Sequence, residues 1–293
     1  MLIPRMKYII LLLPLLSLSA CESDVKDVLL PEFNQKMVVT GFISPGNKEM
    51  TFTVSLNKKI YGELNFEEPF RPSRAFLSDG STEVELEPAV NGFRIGSEIM
   101  PFESGKTYLL RISDGNELSV ESTCTVPFRR DFHLKADTFS YENTFDIKPG
   151  YYYIETTRNV KVSFTDFPSE KNYYRVAGEV TNFRTIKPSG EIISSKYALK
   201  FDKEFLTDNL RDGNVLTLNS EDNIYYTANG DSSFLKVYLL NTEESYYLYH
   251  KSIMDHNYDE NPFAEATPVY SNIKGGLGVF TSYTIDSVIL RLK

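Results

Sequence analysis

Hydrophobic and polar residues alternate along several short segments of the first half of the chain. The runs KMVVTGFIS, EMTFTVSLNK and NELSVESTCTVP have the period of two that is typical of a β-strand with one buried face. The pairs Asp79-Gly80 and Asp114-Gly115 favour type I′ hairpin turns, because both central residues tolerate a positive φ. Turn signals at intervals of about 8 to 12 residues are typical of antiparallel sandwiches. We therefore predict an Ig-like antiparallel β-sandwich over residues 36–127.

The alternation is interrupted after Pro127, where FRRDFHLKADTFSYEN follows without a clean period. It resumes in NVKVSFTDF, in NYYRVAGEVTNFRT and, near the C-terminus, in GGLGVFTSYTIDSVILRL. These segments again favour strands. We therefore place a domain boundary near residue 128 and predict a second β-rich domain over residues 128–293, which makes the whole chain mostly β.

One segment of the second domain has a helical period instead. In NTEESYYLYHKSIMDHNY the residues Tyr246, Tyr249 and Ile253 recur near helical spacing, and acidic residues occupy the first turn. Thr242 is predicted to be the N-cap. Two prolines in the following loop, DENPFAEATP, end the helix. The sequence thus predicts one short helix over about 243–256.

The N-terminus has the pattern of a secretory signal peptide, residues 1–20. Arg5 and Lys7 precede an apolar run that is shorter than the roughly 20 residues of a membrane-spanning helix. The run ends in Leu-Ser-Ala before Cys21, which resembles a bacterial lipobox, where cleavage leaves a lipid-modified cysteine as the first residue. This predicts lipidation of Cys21 and a flexible tether over residues 21–35. The alternative is an ordinary signal peptide with an incidental cysteine.

The residues that follow Cys21 are polar and acidic. Such a stretch resembles the surface-export signal of certain Gram-negative lipoproteins. We therefore expect a lipid-anchored protein of the outer membrane that faces the cell surface. The periplasmic face of the same membrane is the alternative.

Charge and cysteine content exclude some classes of function. The chain of 293 residues has 31 basic against 40 acidic side chains and a formal net charge of −9, which disfavours nucleic-acid binding because phosphates are repelled. Cys124 is the only cysteine besides Cys21, so no intrachain disulfide is expected once Cys21 carries lipid. Cys124 alternates onto the same strand face as Val126, which favours a small core residue over a nucleophile.

The segment SNIKGGLGVF, residues 271–280, is the most unusual glycine-rich stretch of the chain. A phosphate loop needs glycine amides that lead into a helix N-terminus, whereas these glycines lead into a β pattern. We interpret the segment as a bend whose backbone packs closely against another element. On physical grounds, residues 258–280 are also our candidate for a partner or ligand surface. The candidate residues are Tyr258, Asn272, Gly275, Gly276, Gly278 and Phe280.

The histidines and neighbouring acidic residues raise the question of a metal. His250 and His256 are six positions apart, so they lie on different sides of a helix, and zinc needs three or four converging ligands. We interpret both as solvated helix-end histidines and expect no metal centre and no cofactor. The alternating oxygen-bearing residues Asp255, Asn257 and Asp259 leave a calcium site in 255–260 as an open alternative.

Several stretches, in this order, carry a family resemblance. They are the lipobox cysteine, the first strand MVVTGFIS, the segment FTDFPSEKNYYRV, the Tyr-rich helix SYYLYHKSI, and NPFAEATPVYSNIKGGLGVF. Over essentially the whole mature chain the sequence resembles the lipoproteins of domain of unknown function family 4249. The resemblance implies an outer-membrane lipoprotein that is often encoded beside a TonB-dependent outer-membrane receptor. It implies no activity and brings no catalytic residues.

The function that we expect is therefore non-catalytic. The chain has neither the G-x-S-x-G nucleophile elbow nor the H-E-x-x-H zinc motif, so we predict that it is not an enzyme. We expect an accessory or cargo-binding subunit of a TonB-dependent transport system, with the receptor as partner and a cargo that the sequence does not identify. The alternative is a stand-alone surface adhesin or structural lipoprotein without a transporter. An envelope hydrolase is a third and less supported class.

Overall fold

The computed structural model describes residues 33–58, 70–148, 151–208, 212–221, 223–224, 232–257 and 268–292. Contacts group residues 35–293 into one unit and residues 1–34 into another. All elements described below belong to the unit of residues 35–293.

The described residues form sixteen strands and one helix. In the first half, the strands are β1 (Met37–Ile43), β2 (Glu49–Leu56), β3 (Arg74–Ser78), β4 (Glu83–Glu85), β5 (Glu87–Ala89), β6 (Gly92–Gly96), β7 (Thr107–Ser113) and β8 (Ser119–Thr125). In the second half they are β9 (Lys135–Lys148), β10 (Tyr151–Thr165), β11 (Tyr173–Ile186), β12 (Glu191–Leu199), β13 (Phe205–Thr207), β14 (Val215–Asn219), β15 (Ser232–Thr242) and β16 (Leu277–Arg291). The helix α1 spans Glu244–Asn257.

The strands form three sheets. The largest has nine strands in the order β12-β11-β15-β16-β1-β2-β6-β5, with β13 pairing to β11 beside this path. A four-stranded sheet has the order β4-β3-β7-β8, and a three-stranded sheet has the order β14-β10-β9. Both smaller sheets are antiparallel, as their hairpin-rich sequences predict.

A first hydrophobic core lies between the four-stranded sheet and the β1, β2 and β6 part of the large sheet. Alternate residues of these strands are buried, as the period of two requires. Phe52 and Phe93 from the large sheet and Tyr108 and Leu110 from β7 are among its fully buried members. This is a sandwich-like arrangement of two sheets.

A second hydrophobic core lies in the second half of the chain. It gathers Val160 and Phe164 of β10, Val176 of β11 and Val237 of β15, together with neighbours from β12, β13 and β14. Its members lie between residues 132 and 239, whereas those of the first core lie between 37 and 126 with two exceptions. The exceptions are Ile273 and Phe280, which the chain brings back to the first core from near its C-terminus.

Strand β16 joins the two halves of the large sheet. Residues 277–282 pair in parallel with residues 38–43 of β1, and residues 283–291 pair antiparallel with β15. Its first part contributes Phe280 to the first core, and its second part packs Val288 and Leu290 against the second core. The last strand of the chain therefore belongs to both halves, although the sequence places it in the predicted second domain.

The predicted mostly β fold with a single helix is confirmed for the described residues, while the Ig-like topology stays a prediction. The helix begins one residue later than predicted. Thr242 is not its N-cap, because it pairs with Tyr173 at the end of β15 and its hydroxyl donates to the Tyr173 carbonyl. Glu243 precedes the helix instead, and its carbonyl accepts the amide of Tyr246. Among the described residues, no helix has both the length and the apolar character that crossing a bilayer requires.

Candidate functional site

The glycine-rich segment forms a tight bend that leads into β16, which confirms its interpretation as a closely packed bend. Gly275 and Gly278 have φ of +76° and +102°, a region that residues with a side chain rarely adopt. A β-carbon on Gly276 would lie 2.6 Å from the Met37 carbonyl oxygen. These glycines therefore allow the backbone to approach β1 and β8 closely.

Asn272 and Phe280 hold this bend in place. The side-chain nitrogen Nδ2 of Asn272 donates to the Phe280 carbonyl at 2.7 Å, and the backbone amide of Phe280 donates to the side-chain oxygen Oδ1 of Asn272 at 3.0 Å. Ser122 of β8 donates to the Asn272 carbonyl at 2.9 Å. Phe280 is fully buried with its ring 6.0 Å from that of Phe52. Both residues thus stabilise the segment, and Phe280 is not part of the surface.

Only the tip of the bend, Lys274 and Gly275, faces an open groove. The groove has a volume of about 610 Å³ and lies against β3, β7 and β8. Its polar lining includes Arg74 and Arg111, and the ring of Phe76 provides an apolar patch. A volume in this range is sufficient for a small ligand or for an inserted side chain of a partner. Tyr258, the remaining candidate residue, lies outside the described residues.

The basic side chains of the groove are paired with glutamates. Arg74 lies 3.0 Å from Glu85, Lys274 lies 3.7 Å from Glu121, and Arg111 pairs with Glu83. All of these side chains are at least two-fifths exposed, so each pair is weak and can exchange its partner for a charged group of a ligand. The groove therefore offers both signs of charge around an aromatic surface.

The Tyr-rich helix α1 packs an aromatic cluster onto the large sheet. The ring of His250 stacks on Tyr246 with a centroid distance of 4.2 Å and on Phe205 at 5.7 Å. Arg175 donates to the Tyr246 hydroxyl at 2.8 Å and pairs with Glu204. Burial lowers the pKa of His250. The interpretation of His250 as a solvated histidine is wrong, because the neighbouring aromatic rings half-bury it.

The other candidate metal ligands, at the C-terminal end of the helix, form no metal site among the described residues. His256 and Asp255 are exposed, and Asp255 lies 3.4 Å from Lys251 one turn earlier. Residue 259, which the calcium alternative requires, lies outside the described residues. The calcium site in 255–260 therefore stays untested.

Three aspartates that the sequence analysis did not single out lie close together. Carboxylate oxygens of Asp166, Asp208 and Asp212 lie within 4.8 Å of one another, and oxygen-rich sets of this kind can hold a divalent cation. Asp166 accepts the Tyr174 hydroxyl at 2.5 Å and the Gly213 amide at 2.8 Å. Asp166 therefore links β11 to the segment that precedes β14. About forty residues separate Asp166 from the other two in the sequence, so no local motif reveals the cluster.

Cys124 has the predicted role of a core residue. Its side chain is 1% exposed, and burial raises the pKa of its thiol well above the ordinary value. A thiol of this kind is not a nucleophile at neutral pH, because the reactive form is the thiolate.

A half-buried carboxylate, Glu243, lies at the junction of β8, α1 and β16. It accepts the Thr125 amide and the Thr281 hydroxyl, each at 3.2 Å, and Ser245 donates to the Thr281 hydroxyl at 2.6 Å. Burial raises the pKa of Glu243 above its usual value even though these hydrogen bonds oppose the shift. The charged form is therefore less favourable in the folded protein than in the unfolded chain.

The raised pKa of Glu243 predicts how the stability of the protein depends on pH. A group with a raised folded pKa contributes stability below its unfolded pKa, and this contribution is lost as the pH rises through its folded pKa. We expect Glu243→Gln to gain stability relative to the wild type as the pH rises above about 4, the ordinary pKa of a glutamate, because the amide carries no charge and Thr281 can turn to accept a hydrogen bond. Urea unfolding at a series of pH values below and above about 4 measures the difference. The exposed Glu117→Gln is the control, and parallel curves for wild type and Glu243→Gln would contradict the prediction.

Comparison with protein-family models identifies the family of this chain. Neither the curated proteins nor the solved structures contain a match to this chain. A family model, described as domain of unknown function DUF4249, matches residues 23–288 and so covers both cores, the bend and the helix. The chain belongs to the DUF4249 family.

Proposed function

We propose that this protein is a lipid-anchored lipoprotein of the outer membrane, on its surface side, and a non-catalytic accessory or cargo-binding subunit of a TonB-dependent transport system. The lipobox pattern that ends at Cys21 supports the anchor. The family match begins two residues later, at residue 23. The link to outer-membrane receptors comes from what the resemblance to this family implies. The flexible tether that the sequence predicts over residues 21–35 would let the folded unit meet a partner.

The groove beside Lys274 is the observation that carries the proposal. It combines three basic side chains, two glutamates and the Phe76 ring in an exposed site of about 610 Å³. Such a site suits recognition by charge and apolar contact. The glycine bend supplies one wall of the groove and is held rigidly by Asn272, so the wall is preorganised for binding.

The surroundings of Cys124 and His250 support a non-catalytic role. The thiol of Cys124 is buried, and the ring of His250 is stacked between aromatic side chains with its Nδ1 atom 3.0 Å from the Tyr246 carbonyl. Neither group is placed to exchange a proton or a bond with a bound molecule.

A purification from outer membranes in mild detergent tests the proposal. We expect the full-length protein with a C-terminal tag to retain a β-barrel receptor in stoichiometric amount. Lys274→Glu reverses the charge of the groove wall and is expected to lose most of this receptor, because it places two carboxylates side by side at Glu121.

Lys251→Glu is the matched control, because it makes the same charge change beside an acidic partner, Asp255, on the helix. It should retain the receptor as the wild type does. Purification of the wild type without any barrel would overturn the transport proposal in favour of a stand-alone adhesin. If Lys274→Glu recovers as much receptor as the wild type, the groove is not part of the receptor interface.

A further inference from the structure

Strand β16 has one edge without a neighbouring strand along part of its second half. Strand β1 pairs with this edge and ends at Ile43, opposite Ser282, whereas β15 pairs with residues 283–291 on the other edge. Within the part of the chain that the structure describes, no strand continues the place of β1 beside residues 285–289. A groove of about 360 Å³ lies against residues 284–286. The edge of residues 285–289 that faces away from β15 is called the open edge below.

The backbone of the open edge can form a ladder with a further strand. The Leu292 amide donates to the Ser233 carbonyl at 2.8 Å, so the even-numbered residues in this part of β16 bond to β15. The odd-numbered residues Ile285, Ser287 and Ile289 therefore direct their N–H and C=O groups to the open edge. A row of such groups on a strand is a template for the addition of another strand.

The surroundings of the open edge show that it lacks a strand partner in the folded chain. The Ser287 amide donates at 2.8 Å to the carboxylate of its own neighbour, Asp286. A local bond of this kind satisfies the amide without a second strand, and an arriving strand can replace it. On the outer face of the sheet, the side chains of Ile285 and Ile289 are 41% and 64% exposed, so the folded chain leaves much of their apolar surface uncovered.

The sequence of the open edge is complementary to itself. In an antiparallel pair with a two-fold axis at Ser287, Ile285 of one copy lies opposite Ile289 of the other, and this contact occurs twice. Asp286 lies opposite Val288, so no two like charges face each other directly. A two-fold axis one residue earlier would place the two Asp286 carboxylates opposite each other. The pattern therefore favours a second copy of this chain as the added strand, with Ser287 at the centre.

We propose that two copies of the protein pair antiparallel through their open edges, centred on Ser287, so that their large sheets become continuous. The bond from the Ser287 amide to Asp286 is then replaced by a bond to the Ser287 carbonyl of the other copy. Five residues on each strand bury less than the roughly 1,600 Å² of a standard stable interface. The pairing is therefore reversible and is favoured where copies are concentrated, as they are on a membrane surface. It does not depend on a transport receptor.

Disulfide trapping of Ser287→Cys tests this pairing. The α-carbons of a hydrogen-bonded antiparallel pair lie about 5.5 Å apart, a distance that a disulfide spans. The full-length protein is purified in mild detergent, concentrated and oxidised with copper phenanthroline. We expect Ser287→Cys to form a linked dimer at least about tenfold faster than Val90→Cys, because paired thiols have a high effective concentration. Val90 is 93% exposed between β5 and β6 and measures random collision, and the wild type measures the background from Cys21 and Cys124.

A mixture of Ile285→Cys and Ile289→Cys, distinguished by tags of different size, tests the register. We expect each variant to link to the other and not to itself, because identical residues lie four positions apart along the paired strands. Equal rates for Ser287→Cys and Val90→Cys would overturn the proposal. Links from Ser287→Cys to a different protein in outer membranes, with none between copies, would also overturn it and assign the open edge to a strand of that protein.

Discussion

Replacement of Gly278 by alanine is expected to destabilise the protein by about 3 kcal/mol or more. The residue has φ of +102°, and a β-carbon built there lies 2.0 Å from the Val39 carbonyl oxygen, its partner in the parallel ladder of β1 and β16. Backbone strain of this kind costs about 1–3 kcal/mol, and overpacking against a rigid neighbour costs a similar amount. Urea unfolding, followed by circular dichroism, measures the loss.

Gly80→Ala is the matched control for the steric part of this effect. Gly80 has φ of +87°, and a β-carbon built there meets no atom within 4 Å. Its substitution by alanine adds backbone strain without a steric clash, and it should lower the free energy of unfolding by on the order of 1 kcal/mol. Equal losses for the two variants would show that the close approach of β1 and β16 does not limit stability.

Replacement of Cys21 by serine is expected to abolish membrane anchoring. Serine offers no thiol for lipidation, and each buried methylene of a lipid chain contributes about 0.8 kcal/mol to membrane binding. We expect the variant to lose incorporation of labelled palmitate completely and to lose its position in the outer-membrane fraction. Metabolic labelling followed by membrane fractionation measures both effects.

Cys124→Ala is the control for this experiment, because it removes the other thiol of the chain. Cys124 is 1% exposed in the first core, so its loss should leave palmitate incorporation unchanged. Palmitate that persists in Cys21→Ser would contradict the lipobox assignment. It would also remove the basis for the proposed anchor.

The strands were predictable because each depends on a local pattern. The period of two in β2 and β8 matches their alternating burial, and Asp114-Gly115 lies at the turn of the β7–β8 hairpin. The helix was predictable to within one residue from its tyrosine spacing. Its N-cap was not, because the pairing of Thr242 with Tyr173 holds this residue in β15, and propensity does not report such long-range pairing.

The candidate site was predictable only in part. The glycine bend was found, but the sequence did not distinguish the residues that stabilise it, Asn272 and Phe280, from the two at its tip that face the groove. Arg74 and Arg111, which complete the groove, come from strands that are distant in sequence. Their proximity to Lys274 results from sheet pairing and from the return of the chain beside β8.

By itself, the sequence determined the predominance of strands, the one helix of the described residues and the family, since all of these depend on neighbouring residues or on the order of motifs along the chain. The tertiary structure alone decided that β16 pairs in parallel with β1 and antiparallel with β15. It also decided which charges line the groove. The physical reason is that a strand pattern specifies which face is buried, but not which of many similar strands becomes its neighbour.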